Sequence, residues 1–186
     1  IGLRYDEYQL TPSADAMFNN SNVAKNELAS IDDSAVSSKF GFLYDFSDQL
    51  SVFAQYAEGF RSPDYESANL TFTNFAYYYS VAPNPDLKSE ESAGYEIGLR
   101  GDYEDLTWSL AAYKTDYESF IETDLTGATP RGISIYQYVN KNDVTIKGIE
   151  FEIEKTFANN ITAKLAGNRT YGESAGEKLL SINPSE

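Results

Sequence analysis

The stretch GIEFEIEKTF constrains this chain more than any other. Ile149, Phe151 and Ile153 alternate strictly with Glu150, Glu152 and Glu154. On a helix the three glutamates would scatter around the axis, whereas on a strand they line one face and the apolar residues line the other. GYEIGLRG repeats the rule, with Tyr95, Ile97 and Leu99 set against Glu96 and Arg100. Further strands are expected at residues 1–10, 38–46, 50–60, 106–117 and 161–171, which makes about seven strands and no helix. Each has one apolar face and one wet face.

The connections between these strands alternate in length. Residues 11–37, 61–91 and 118–143 are long; SDQ at 47–49, DYED at 102–105 and ANN at 158–160 are tight. In an antiparallel meander this puts every short turn at one end and every long loop at the other, which is the plan of an outer-membrane barrel. A soluble, lipocalin-like barrel is the competing architecture, and it would need an apolar interior that the Glu150, Glu152 and Glu154 face denies it unless that face points to solvent. Seven strands do not close a bacterial barrel, which takes an even number of eight or more. The chain begins in mid-pattern at Ile1, and its tail runs into Pro184. All of residues 1–186 are therefore expected to form part of a larger barrel domain.

Composition removes several functions. With 29 acidic against 14 basic residues the net charge is -15, the wrong sign for binding nucleic acid. The chain has no His and no Cys, so it cannot assemble a Ser/His or Cys/His couple or a zinc site of the usual kind. The aligned glutamates read as water-facing wall before they read as general acid/base or calcium-binding groups. No apolar run reaches the roughly 18 to 20 residues of a transmembrane helix. Aromatic residues make up 15% of the chain, with 15 Tyr.

Many of these aromatics lie in FRSPDYESANLTFTNFAYYYSVAPNPDL, residues 60–87. Two Pro-containing boxes enclose a segment that keeps no regular period for long. Pro63 fixes the exit of a strand, and Arg61 is expected to pair with a carboxylate of the wet face. Asn84-Pro85-Asp86 is a turn initiator. The enclosed residues are expected to project beyond the strand ends, with Tyr77, Tyr78 and Tyr79 as the foremost contact and Tyr65 and Phe75 beside them. Tyr gives broad contact area with few rotatable bonds to freeze. The same rings would also serve as an aromatic rim or as packing within the loop.

The boxes Phe60, Arg61, Pro63 (FRSP) and Asn84, Pro85, Leu87 (NPDL), followed by KSEESAGYEIGLRG and by YQYVNKNDVTIKGIEFEIE, resemble the C-terminal half of the barrel of TonB-dependent outer-membrane receptors, most closely the haem and haemoprotein receptor branch. The resemblance covers most of the chain from residue 38. It implies a 22-strand barrel with long extracellular loops and short periplasmic turns, a plug domain, and coupling to the TonB complex through an N-terminal region absent from these residues. It implies placement in the outer membrane of a Gram-negative bacterium. It also implies energy-coupled uptake of an iron chelate, with haem as transported cargo rather than as resident cofactor, and no enzymatic activity. Receptors of this branch commonly carry a haem-ligating His between the two boxes, and residues 64–83 contain none. A phenolate from Tyr77, Tyr78, Tyr79 or Tyr65 could take that place. A ferric siderophore as cargo, or a small binding barrel or adhesin, are the alternative readings.

Overall fold

The computed structural model describes residues 1–159, 161–179 and 182. The expectation for the Pro184 end, and Asn160 of the third tight turn, lie outside the described residues. Seven long antiparallel strands form one sheet: β1 (Gly2–Leu10), β2 (Ile31–Ser47), β3 (Leu50–Arg61), β6 (Glu90–Tyr103), β7 (Leu106–Glu118), β10 (Val144–Thr156) and β11 (Thr162–Ser174). A two-residue strand, β12 (Glu177–Lys178), pairs with β11 at one edge, and β1 lies at the other. The numbers missing from this sheet belong to a second one. It contains β4 (Phe72–Asn74), β5 (Tyr79–Val81), β8 (Phe120–Ala128) and β9 (Ser134–Lys141), in the order β4-β5-β9-β8.

The register of the large sheet puts the two faces where the alternation predicts. Val52, Leu99, Leu110 and Phe151 stand in one cross-strand row, and Ala54, Ile97, Ala112 and Ile149 in the next. On the opposite face Ser51, Arg100, Ser109 and Glu152 are aligned, as are Phe53, Gly98, Ala111 and Glu150. The apolar face is open: Ile97 is 58% exposed and Leu165 60%. Rings frame it at both ends. Tyr56 and Tyr95 lie 5.0 Å apart at the long-loop end, and Tyr44 and Phe46 meet edge-on at 5.2 Å near the turns. Between Tyr95 and Tyr103 the strand covers about 26 Å at the usual rise. Tilted by ~40°, it gives a band about 20 Å tall, close to the apolar height of a membrane barrel.

The wet face makes its own contacts. The Arg100 guanidinium sits 4.4 Å from the centre of the Phe53 ring, Lys164 Nζ donates to Glu152 Oε1 at 2.7 Å, and Gln55 donates to Glu96. Phe53 also lies over Gly98 so closely that a Cβ there would strike its ring, and Trp108 covers Gly101 in the same way on the apolar face. An aromatic ring can lie flat against the sheet only where its cross-strand neighbour has no side chain.

Three connections depart from the sequence expectation. β2 begins at Ile31, so the first loop is shorter than 11–37, and it holds a six-residue helix, α1 (Ala16–Ser21). The segment 61–91 contains α2 (Tyr65–Asn69), β4 and β5; the segment 118–143 is the hairpin β8–β9. Mixed burial and irregular spacing hid these pieces, because a three-residue strand shows too little of its period to be read. The buried apolar residues among those described, including Ala29, Ala68, Leu87, Ile121 and Ile133, sit in these connections or at the strand ends beside them. The hydrophobic core belongs to the loops, which together form a folded crown, and the sheet is a wall beneath it.

Candidate functional site

Both Pro boxes clamp the crown to the wall. At the end of β3 Phe60 is half-buried, and Arg61 Nη1 lies 3.8 Å from Glu90 Oε2, which also accepts from the Ile121 backbone at 2.9 Å. Arg61 and Glu90 face each other across β3 and β6 on the wet side. Pro63 is fully buried. Asp64 then caps α2, its Oδ1 accepting from the Ser67 N–H and hydroxyl, both at 2.7 Å. Those bonds, the backbone one foremost, hold the Asp64 carboxyl below its ordinary range, with help from the Arg61 charge and against a small cost of burial.

The second box closes the same clamp. Asn84 accepts from the Asp86 N–H at 3.1 Å and donates through Nδ2 to the Tyr138 carbonyl at 2.8 Å, while its own N–H reaches the Ala68 carbonyl at 3.0 Å. Pro85 is exposed at the turn. Leu87 is buried against Ala29, Ala68 and Ile121, with Ile31 and Tyr138 packed around them. Two asparagines act as stand-in strands. Asn69, 1% exposed, accepts from Ala29 N at 2.7 Å and donates to Ala29 O at 3.1 Å; Asn140 does the same with the backbone of Lys88 at 2.8 and 2.9 Å. Each side-chain amide satisfies both polar groups of one residue in another loop. All three long connections are thereby tied together.

The aromatic segment is a hairpin raised on this clamp. Asn74 Oδ1 accepts from the N–H groups of Ala76 and Tyr77, at 3.0 and 3.1 Å, and Tyr78 takes a left-handed conformation with φ 54°. Such an Asx turn suits Asn at its first position. Phe75, Tyr77 and Tyr78 occupy the tip and are exposed, Tyr77 to 79%. Tyr79 has a different place. It lies on β5 with its ring 6.1 Å from Phe72 and 6.4 Å from Tyr136. The three neighbouring tyrosines are thus divided, two at the tip and one in the sheet. Tyr65 stands half exposed on α2, apart from the tip.

β5 pairs parallel with β9, which brings two hairpins from distant parts of the chain into one surface. Tyr77, Tyr78 and Tyr79 share a groove of about 430 Å³ with Val81, Thr123, Ser134 and Tyr136. Tyr136, Thr123 and Ser134 were not among the residues the sequence singled out. Tyr136 and Tyr138 do alternate with Gln137 and Val139, a strand signal in itself, but nothing in that pattern announces which hairpin it will join. On β8, next to Thr123, a hydrogen bond from Lys141 and then one from the Leu125 N–H hold the Asp124 carboxyl below its ordinary range.

A sheet with a membrane-height apolar face, a polar opposite face, tight turns at one end and a folded crown at the other defines a segment of a transmembrane β-barrel with an elaborate mouth. Residues 1–184 match the family described as TonB dependent receptor-like, beta-barrel, and the chain belongs to that family. Among curated relatives it is 30% identical over 128 residues to hemoglobin-haptoglobin utilization protein B of Neisseria meningitidis, covering 60% of this chain and 16% of that protein. It is 32% identical over 108 residues to the vitamin B12 transporter BtuB of Photobacterium profundum, covering 58% of this chain and 16% of that protein. The structure superposes on the hemophore receptor HasR of Serratia marcescens, solved with its hemophore HasA and heme, at a TM-score of 0.64 and 17% identity, over 94% of this chain and 29% of that one. The chain thus spans about one sixth of the curated relatives it matches.

Proposed function

We propose that this chain is the crown-bearing part of an outer-membrane receptor of a Gram-negative bacterium that takes up haem, delivered free or by a haemoprotein. The long connections face the outside and the tight turns the periplasm. Energy reaches the receptor from the TonB complex through a region outside these residues, and no residue here has a catalytic role. The observation that carries the reading is the aromatic tip of Phe75, Tyr77 and Tyr78, held exposed above the polar wall by a crown that has its own core. Exposed rings on a rigid mount bind at little entropic cost. The likeness to the haemoglobin-haptoglobin protein points the cargo toward haem.

Tyr77 and Tyr78 provide contact area to the cargo, and Tyr79 supports them from the sheet. In full-length receptor expressed in cells starved of iron, replacing both Tyr77 and Tyr78 by Ala should weaken haemoglobin binding and growth on haemoglobin by at least tenfold, while single Tyr→Phe changes leave both intact. Loss of haem binding in one Tyr→Phe variant would instead assign iron ligation to that phenolate. Unchanged growth on every haem source would overturn the reading. A second reading, a cobalt-corrinoid cargo, draws on the comparable identity to the vitamin B12 transporter. Uptake of labelled cobalamin with no response to haem would establish it. Orientation has its own test: an epitope at Asn20 should be reached by antibody on intact cells and one at Asp48 should not.

A further inference from the structure

The apolar face of the wall is not uniform. Beside Ile97 the row is cut down to Ala54 on one side and Ala112 on the other. These two alanines floor a cleft of about 600 Å³ whose sides are Phe40, Phe42, Tyr56 and Tyr95. Lys114 closes it at the crown end. Lys114 stands directly opposite Lys147 on β10, and Arg169 is one row below, opposite Ile149 on β11.

Two lysines facing each other across a strand pair repel, and such a pair is ordinarily avoided. Here each is half exposed and leans on one carboxylate, Lys114 on Asp116 at 2.8 Å and Lys147 on Glu173 at 3.5 Å. Lys147 also stands 5.3 Å from the centre of the Tyr171 ring. Both carboxylates lie on the crown side of the lysines. Glu58, in the same row as Asp116, is engaged by the Ser38 N–H at 2.9 Å, the Ser38 hydroxyl and the Tyr56 hydroxyl. The side of the lysines toward the apolar band therefore meets hydrocarbon, cations and rings. An anion seated there would relieve the Lys114–Lys147 repulsion, and exposed ion pairs such as those with Asp116 and Glu173 yield to a competing anion at little cost. An apolar slot with cations at one mouth is complementary to an acyl chain below a phosphate.

We propose that the Ala54–Ala112 cleft, with Lys114 and its neighbour Lys147 at the crown end and Arg169 farther along the row of the alanines, holds a phosphorylated, multiply acylated glycolipid of the outer leaflet. The acyl chain lies over the two alanines between Phe42 and Tyr95, and the phosphate bridges Lys114 and Lys147. The choice of leaflet rests on the outward orientation of the crown proposed above; the choice of phosphate rests only on the lysines.

The test uses full-length receptor in non-ionic detergent, with native mass spectrometry against diphosphorylated lipid A, dephosphorylated lipid A and phosphatidylglycerol. Diphosphorylated lipid A should bind at least tenfold more tightly than the other two. K114Q/K147Q should lose that preference, and A54F/A112F should weaken all three lipids, with both variants keeping the heat-modifiable gel mobility of a folded barrel. Equal retention of lipid A by K114Q/K147Q, or no effect of filling the cleft, would overturn the site. Tighter binding of phosphatidylglycerol would overturn the assigned lipid. Cargo is scored separately: lipid binding as expected in a receptor that takes up no haem would remove the haem reading and leave this one standing.

Discussion

The wall and the crown are built on opposite plans from the same chain. The wall keeps its apolar side chains on the outside, Phe42 and Leu165 each 60% exposed, and puts charges such as Glu152 and Arg100 on its other face. The crown encloses an apolar cluster of its own, with Leu87, Ala68, Ala29 and Ile121 inside, and leaves the rings of its tip exposed. Solvent explains the difference. Lipid rewards an exposed Leu99 and water does not, so one rule of burial produces two inverted patterns a strand length apart. The wall is held by ladder hydrogen bonds between long strands, whereas the crown is held by side chains that reach between segments.

The contrast can be broken most severely at Leu87. Leu87→Ala should cost the crown about 2 to 5 kcal/mol, the usual range for a buried Leu, and leave the wall folded. Limited proteolysis should then open the segments around α2 and β8 in a barrel that still shows heat-modifiable mobility. Collapse of both together would show that crown and wall are one cooperative unit.

On the wall the converse change is Leu99→Lys, which should cost about 2 to 4 kcal/mol near the middle of the band, with the crown's protease resistance unchanged. Cysteines at 97, 99, 151 and 153 should resist a water-soluble maleimide in membranes, and those at 96 and 150 should react. The reverse pattern would invert the register.

Asn69→Ala leaves the N–H and C=O of Ala29 without their partner, and the expected loss is about 1 to 3 kcal/mol. Hydrogen exchange should rise at Ala29 first. Because the first and second connections are joined there, exchange at α1 should follow, while β6 and β7 stay protected.

Asp64→Ala removes a helix cap worth about 1 kcal/mol. The native cap also makes a signed pH prediction. Its folded carboxyl is held below the ordinary value, so its contribution is complete above the unfolded value of about 3.9 and is lost as pH falls through the lowered folded value. Protease sensitivity at α2 should rise on that descent in the native receptor and should lack that step in Asp64→Asn.

The alternation in GIEFEIEKTF and GYEIGLRG determined the wall, because a strand's two faces are written locally, one residue after another, and the lipid that selects between them is the same along the whole band. The unequal connections determined which end would carry the elaborate mouth. FRSP and NPDL were legible as rigid points, since Pro63 restricts its own backbone and the Asn84 side chain closes a turn two residues on. The sequence by itself did not determine that residues 72–81 and 120–141 would share a sheet, that Tyr79 would meet Tyr136 edge-on while the rings of Tyr77 and Tyr78 stay exposed at the tip, or that Leu87 would be core. Those outcomes depend on which distant segment lies beside them: Asn69 meets Ala29 and Asn140 meets Lys88 where the wall sets the three loops side by side. Contacts across such separations follow from tertiary closure, and no local period records them.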